Sequence, residues 1–224
     1  METIQKLLAL HYSKTYGGKE KHDSPDLSRT RMCNEVFELI NNKQIPNNKI
    51  LSIGSGRQAL EKQLIVSRDQ KGKEILKQIK ITTIDIANIS KYKLLAYKYG
   101  VNHTQTDVLD LPFSDNTFGL AISNLAIDFA PKNALKEVSR ILAPQGKIVI
   151  NFHHPILYTK NTNNSSMEVK KFISHIKENR ILYANEEDIK YNMLKSGFNN
   201  ISVSLETDKF DKWWMVSARK NEYK

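Results

Sequence analysis

An open, doubly wound α/β sheet, mostly parallel, is the architecture this sequence predicts, and three observations carry the prediction. From about Asn48 to Phe152, short runs rich in Ile, Val and Leu alternate with amphipathic helical stretches. Strands of that kind are buried on both faces, which requires helices above and below a parallel sheet. The first run ends in Gly54-Ser-Gly56 directly before a helix, and the second ends in Asp85. Ligands of such sheets bind beyond the carboxyl ends of the strands, where the strand order reverses.

The elements follow in order. Two amphipathic helices are expected over 4–12 and 31–41, separated by a polar stretch at 13–27. Strands are expected at 49–53, 79–84, 102–106, 118–123 and 147–152. A helix over 90–99 is capped by Ser90 and ended by Gly100. Over 133–142, Ala134, Leu135, Val138, Ile141 and Leu142 form one apolar stripe at helical spacing. Pro144 stops that helix, and Ala143-Pro-Gln-Gly146 has the composition of a tight turn. A polar loop at 155–166 precedes a helix over 167–179 whose position suits a lid. A last helix at 185–196 and two strands at 201–206 and 213–219 complete a seven-stranded sheet. Trp213 and Trp214 in the final strand read as core and edge residues. The chain is thus expected to be one domain: a helical cap over 1–47, a core over 48–153, an insertion over 154–182, and a closing helix and strands over 183–224.

The glycines let the backbone turn sharply and approach a ligand, and a charged group can then meet the amides of the helix start. Gly54, Gly56 and Ala59 also satisfy the dinucleotide fingerprint, so a nicotinamide cofactor competes at this point. Asp85 can accept from vicinal ribose hydroxyls in either case.

Four segments in register distinguish the two. They are the glycine turn, Asp85, the stretch Asp107-Val-Leu-Asp-Leu111-Pro-Phe113-Ser-Asp115-Asn-Thr-Phe118, and Lys136-Glu-Val-Ser-Arg140-Ile-Leu-Ala-Pro-Gln-Gly146. Together they resemble the class I S-adenosylmethionine-dependent methyltransferases, a Rossmann-like family, and most closely its small-molecule members with an Asp-x-x-x-Leu-Pro-Phe signature. The resemblance implies S-adenosyl-L-methionine as cofactor. It implies that Asp107 accepts from the adenine amino group and that the Val108 amide meets a ring nitrogen. The cofactor contacts it implies are Ser52, Gly54, Ser55, Gly56, Asp85, Ile86, Asp107, Val108, Asn124, Leu125 and, from the covering N-terminal segment, Tyr16. Three departures stand out. Ser52 occupies a position where the family often has an acid, Gln58 replaces the third glycine, and Gly119 replaces an Asp.

Methyl transfer from a sulfonium is an in-line displacement, so the protein mainly aligns donor and nucleophile. A phenol, alcohol or ammonium acceptor must also lose a proton, whereas a carboxylate need not. His153 and His154 follow the fifth strand and Asp128 follows the fourth, which makes these three the candidate catalytic residues. No metal site is expected.

The net charge of +10 is spread along the chain, as on a solvated surface, and slightly favours an acidic metabolite or a peptide carboxylate as acceptor. Nucleic acid is not the expected partner. The turn after the fourth strand is Asn124-Leu-Ala-Ile, without the prolines of base-amino methylases, and Cys33 lies far upstream of the site a cytosine C5 enzyme would need. RNA methylation and a non-catalytic or NAD-binding Rossmann protein remain the alternatives. The single cysteine excludes an internal disulfide, and no apolar run is long enough to span a bilayer, so a cytoplasmic protein is expected.

Overall fold

The computed structural model describes residues 26–71, 79–87, 100–131, 133–155, 183, 185–209 and 212–222. Helix α1 (Leu27–Asn41) precedes β1 (Lys49–Ile53), α2 (Ala59–Lys71), β2 (Lys80–Asp85), β3 (Asn102–Gln105) and β4 (Phe118–Asn124). A short 3-10 turn, Ile127–Phe129, leads to α3 (Ala134–Ile141), β5 (Leu142–His153), α4 (Glu186–Lys195), β6 (Phe198–Thr207) and β7 (Lys212–Lys220). Among the described residues the strands form one seven-stranded sheet in the order β3-β2-β1-β4-β5-β7-β6. The first five in that order run parallel, and β7 is antiparallel to both β5 and β6.

Side chains alternate across a strand, and here both faces are apolar. Leu51 and Ile53 of β1, Ala121 of β4 and Ile148 and Ile150 of β5 face one cluster with Leu135, Val138 and Ile141 of α3 and Ile189 and Met193 of α4. Ile50, Leu120, Ile122 and Val149 face the other, with Met32, Val36, Phe37 and Ile40 of α1 and Leu60 and Leu64 of α2. That two-sided burial is the reason the strands read as continuous apolar runs.

Three elements begin three or more residues before expectation: α1, β5, and β6, which starts at Phe198 rather than 201. Helix α1 begins at Leu27 rather than 31, because Asp26 caps it by accepting from the Ser28 amide at 2.8 Å. The polar Ser28-Arg29-Thr30, which reads as loop, is therefore helical. Strand β5 begins at Leu142, which leaves the stripe of α3 to pair with Phe118. The register then jumps from Phe118↔Leu142 to Leu120↔Lys147, so Ala143–Gly146 is an excursion within the strand and not a break before it. Gly119 stands at that irregularity for a steric reason. A Cβ there would run into the backbone of Asn47, so the Asp usual in the resembled family has no room.

The expected helices over 4–12, 90–99 and 167–179, with Tyr16 and almost all of the 154–182 insertion, lie outside the described residues. Among the described residues no helix is long and apolar enough to cross a membrane.

Candidate cofactor and acceptor site

The order reverses between β1 and β4, and a cleft of about 320 Å³ opens there at the carboxyl ends of the strands. Its floor is the turn after β1, from Ser52 to Arg57. Opposite lie Asn124, Leu125, Ala126 and Phe129 from the loop after β4, with His153 at the end of β5. Asp26 and Arg29 bring the start of α1 to the rim.

The turn is held from below. Gly54 and Ser55 donate their amides to the Ile84 carbonyl at 2.9 and 3.1 Å, which ties them to the end of β2. Gly54 has φ +66, and a Cβ on it would collide with that of Ala126. Glycine is therefore required twice over, by backbone conformation and by the close approach of the two loops. The loop after β4 is fixed by Ser123, whose hydroxyl donates to the Ile53 carbonyl at 3.0 Å and accepts from the Ile127 amide at 3.1 Å. Asn151 supports it too: its Nδ2 donates to Asn124 Oδ1 at 2.7 Å, and its carbonyl accepts from the Leu125 amide at 2.9 Å.

Two of the sequence departures have local explanations. Gln58 takes the left-handed conformation, φ +59, that a glycine would adopt. Its buried side chain donates to Thr83 Oγ1 at 3.1 Å, which anchors the turn to β2. Ser52 is not alone under the turn: its hydroxyl donates to Oε1 of Glu61, a fully buried carboxyl from the first turn of α2. Burial pushes Glu61 up to about 7; the neighbouring Asp85 adds to the rise, and the Ser52 hydrogen bond and Arg29 oppose it. Glu61 lines the cleft, and its Oε2 is buried without a hydrogen-bond partner among the described residues.

Asp85, Ile86, Asp107 and Val108, expected as cofactor contacts, are not among the residues lining this cleft; they lie at and beyond the ends of β2 and β3. The Asp85 carboxylate accepts from the Gly56 amide at 2.7 Å through Oδ2 and from the Ala87 amide at 2.8 Å through Oδ1. Burial raises this carboxyl above its ordinary value, and the amides of Ala87, Gly56 and Ile86 oppose the rise. Each oxygen keeps a second lone pair. The Asp85 carbonyl accepts from the Thr106 amide at 3.0 Å, which brings Asp107 alongside, and that of Ile86 accepts from Gln105 Nε2 at 3.3 Å. Asp107 Oδ1 accepts from the Leu109 amide at 3.0 Å and shapes its own turn.

The Leu-Pro-Phe stretch is clamped by α3. Arg140 donates to the carbonyls of Leu111 at 3.1 Å and Phe113 at 2.9 Å, to Asp115 at 2.6 Å and to Glu137 at 2.6 and 2.8 Å. Glu137 Oε1 in turn accepts from the Leu111 amide at 3.1 Å. The two motifs flanking β4 are thus one structural unit.

The three candidate catalytic residues separate. Asp128, 1% exposed, accepts through Oδ2 from the His153 amide at 2.9 Å and meets His153 Nδ1 at 2.5 Å. The Phe129 ring packs edge-on against the His153 imidazole, with centroids 5.5 Å apart. His154 takes another course, lying against Trp214 with centroids 5.7 Å apart and donating its amide to Lys212 at 3.2 Å. Burial holds it below the ordinary imidazole value, and Lys212 adds to the effect. It does not reach the cleft lining, because successive residues leaving a strand point to opposite sides.

Sequence reasoning passes over Glu61, Arg29, Arg57 and Phe129. The one available signal was an acid nine residues beyond Ser52, in the first helical turn after the glycines. Among the described residues no group of three or more His, Cys, Asp or Glu side chains is placed to hold a metal.

Strand order 3-2-1-4-5-7-6 with an antiparallel seventh strand, and a cleft floored by the glycine turn, define the class I S-adenosylmethionine-dependent methyltransferase fold. Comparison with known proteins agrees: residues 52–150 match the family described as "Methyltransferase domain". A malonyl-[acyl-carrier protein] O-methyltransferase of Buchnera aphidicola subsp. Baizongia pistaciae is 31% identical over 122 residues, covering 50% of this chain and 49% of that protein. The match therefore spans about half the length of that curated relative.

Among solved structures, a putative sarcosine dimethylglycine methyltransferase from Galdieria sulphuraria superposes with a TM-score of 0.65 at 14% identity, covering 95% of this chain and 99% of the other. The CurJ carbon methyltransferase gives 0.63 at 15%, covering 86% and 54%. Haemonchus contortus phosphoethanolamine N-methyltransferase 2, in complex with phosphomonomethylethanolamine and S-adenosylhomocysteine, gives 0.59 at 18%, covering 84% and 52%. The chain thus has the class I methyltransferase fold, and its similarity to the methyltransferase-domain family runs over residues 52–150; S-adenosylmethionine is the cofactor this similarity implies.

Proposed function

We propose that this chain transfers the methyl group of S-adenosylmethionine to an oxygen or nitrogen of a small acceptor held against His153. The residues suit the cofactor on structural grounds. Two buried polar atoms of residues lining the cleft, Glu61 Oε2 and Ser55 Oγ, lack a partner among the described residues. In this reading the glycine turn, Ser52, Ser55 and the Asn124-Leu125 loop hold the amino-acid end. Asp85 and Asp107, with the backbone of Ile86 and Val108, hold the nucleoside. When bound, the cofactor supplies an electrophilic methyl group.

The Asp128–His153 pair is the observation that carries the acceptor side. A buried carboxylate on Nδ1 keeps the proton there, leaves Nε2 as the basic nitrogen and stabilises the imidazolium that forms when an acceptor proton is taken. Asp128 is then the positioning residue and His153 the base.

A second reading has its own observation. Arg29 and Arg57 line the same cleft, as would suit a carboxylate acceptor, and the relative from Buchnera is named as an O-methyltransferase of malonyl-[acyl-carrier protein]. A carboxylate gives up no proton. The two readings therefore separate in the pH profile. The purified chain, given labelled S-adenosylmethionine and extracted metabolites, is expected to produce a methylated small molecule detected by its mass shift. On that product, and at saturating S-adenosylmethionine, turnover rising with pH through the imidazole range favours the base, and a flat profile favours the carboxylate. Label confined to RNA overturns both.

A further inference from the structure

A carboxyl supplied by α2 stands directly against the Ser52 hydroxyl of β1. Glu61 reaches back from α2 to Ser52 Oγ, so an acid sits directly beyond the serine hydroxyl and on the wall of the cleft. One of its oxygens is engaged by Ser52; the other is buried, and nothing among the described residues donates to it. An ionised carboxylate left like this carries a large desolvation penalty, which a cation placed beside it removes. The groups acting on it come from three elements: Ser52 on β1, Asp85 at the end of β2 and Arg29 on α1. Ser52 and Arg29 favour the charged form, and Asp85 together with burial disfavours it.

The geometry points to Glu61 as a proton-linked counter-charge of the cleft, which holds a proton in the free protein under mildly acidic conditions and gives it up to solvent when a positively charged ligand is bound. This role rests on the S-adenosylmethionine reading above, since the α-ammonium and sulfonium of that ligand supply the positive charge, the ammonium at the amino-acid end that Ser52 faces. It goes beyond that reading by making cofactor affinity depend on pH through one residue that no motif marks. Ser52 and Glu61 thus act as a pair, with the hydroxyl on the strand and the carboxyl on the helix.

Calorimetric titration with S-adenosylmethionine, repeated in two buffers of different ionisation enthalpy, counts the protons released. With Glu61 at about 7 in the free protein, binding at pH 6 is expected to release about nine-tenths of a proton, and at pH 8 about one-tenth. Affinity should rise about tenfold between those pH values. In Glu61→Gln, whose amide keeps the contact with Ser52, both effects should vanish. Binding by the wild-type chain without proton release at pH 6 overturns the inference and needs no variant to fold. Release that persists undiminished in Glu61→Gln overturns it as well. An absence of binding heat at every pH would instead overturn the cofactor reading, so the two failures are distinct.

Discussion

Replacing Asp128 by Asn isolates the charge of the Asp128–His153 pair while keeping its shape. The wild-type carboxylate is buried, and its Oδ2 receives both the His153 amide and Nδ1. Asparagine retains one acceptor oxygen at nearly the same place, so the imidazole orientation survives and the counter-charge does not. A hydrogen bond to a charged partner contributes about 1.5–3 kcal/mol, against about 0.5–1.5 kcal/mol for a neutral one. The difference, about 1–1.5 kcal/mol, falls on the imidazolium formed as the acceptor loses its proton. Turnover per cofactor-saturated enzyme should drop about 5- to 13-fold. The acid limb of the pH profile should move to lower pH, since the protonated ring has lost its stabilising neighbour. The assay is methyl transfer to the product found in the metabolite screen, run beside S-adenosylmethionine binding and thermal melting. Binding within twofold of wild type and a retained fold are expected. Full turnover with an unmoved acid limb would refute the base mechanism, as would a loss that merely tracks lost cofactor binding.

Three further outcomes follow from the same structure. Gly54→Ala puts a Cβ into Ala126 at a left-handed backbone position; urea titration should show a loss of about 1–3 kcal/mol, with cofactor affinity down at least about tenfold. Arg140→Ala frees the Leu111 and Phe113 carbonyls together with Asp115 and Glu137. It should lower stability by about 2 kcal/mol by urea titration and weaken S-adenosylmethionine binding through the Asp107 turn. Glu61 lies above its ordinary 4.5 in the folded chain, at about 7, so folding favours its protonated form. Glu61's contribution to ligand-free stability should therefore be full below about pH 4.5 and fall by about 3 kcal/mol as pH rises to 7, a loss that Glu61→Gln removes; a melting curve equally pH-dependent in the variant would contradict this.

The strands around the site were legible because each is set by neighbouring residues. β1 was bounded correctly by its apolar run, and β2, β3 and β4 to within a residue at each end. The glycine turn was legible for the same reason: positive φ followed at once by a helix is a local demand on the backbone. The start of α1 was missed because its cap, Asp26, is followed by three polar residues that look like loop until one sees Ser28 buried and its carbonyl accepting from Asn151 at 3.1 Å. The start of β5 was missed because helical spacing runs straight into Leu142, and only the pairing with Phe118 assigns that residue to the sheet.

Local chemistry thus announced an α/β sheet with a ligand edge, and nominated Asp128, His153 and His154 without choosing among them. Their different placement comes from β4 lying beside β5, which brings Asp128 and His153, 25 residues apart, into contact while His154 lies against Trp214. Glu61 became visible only once α2 was laid over β1, with its charge facing Ser52. Backbone sterics and apolar periodicity act over a few residues and can be read along a chain, whereas burial and the pairing of charges depend on which elements the folded sheet places side by side.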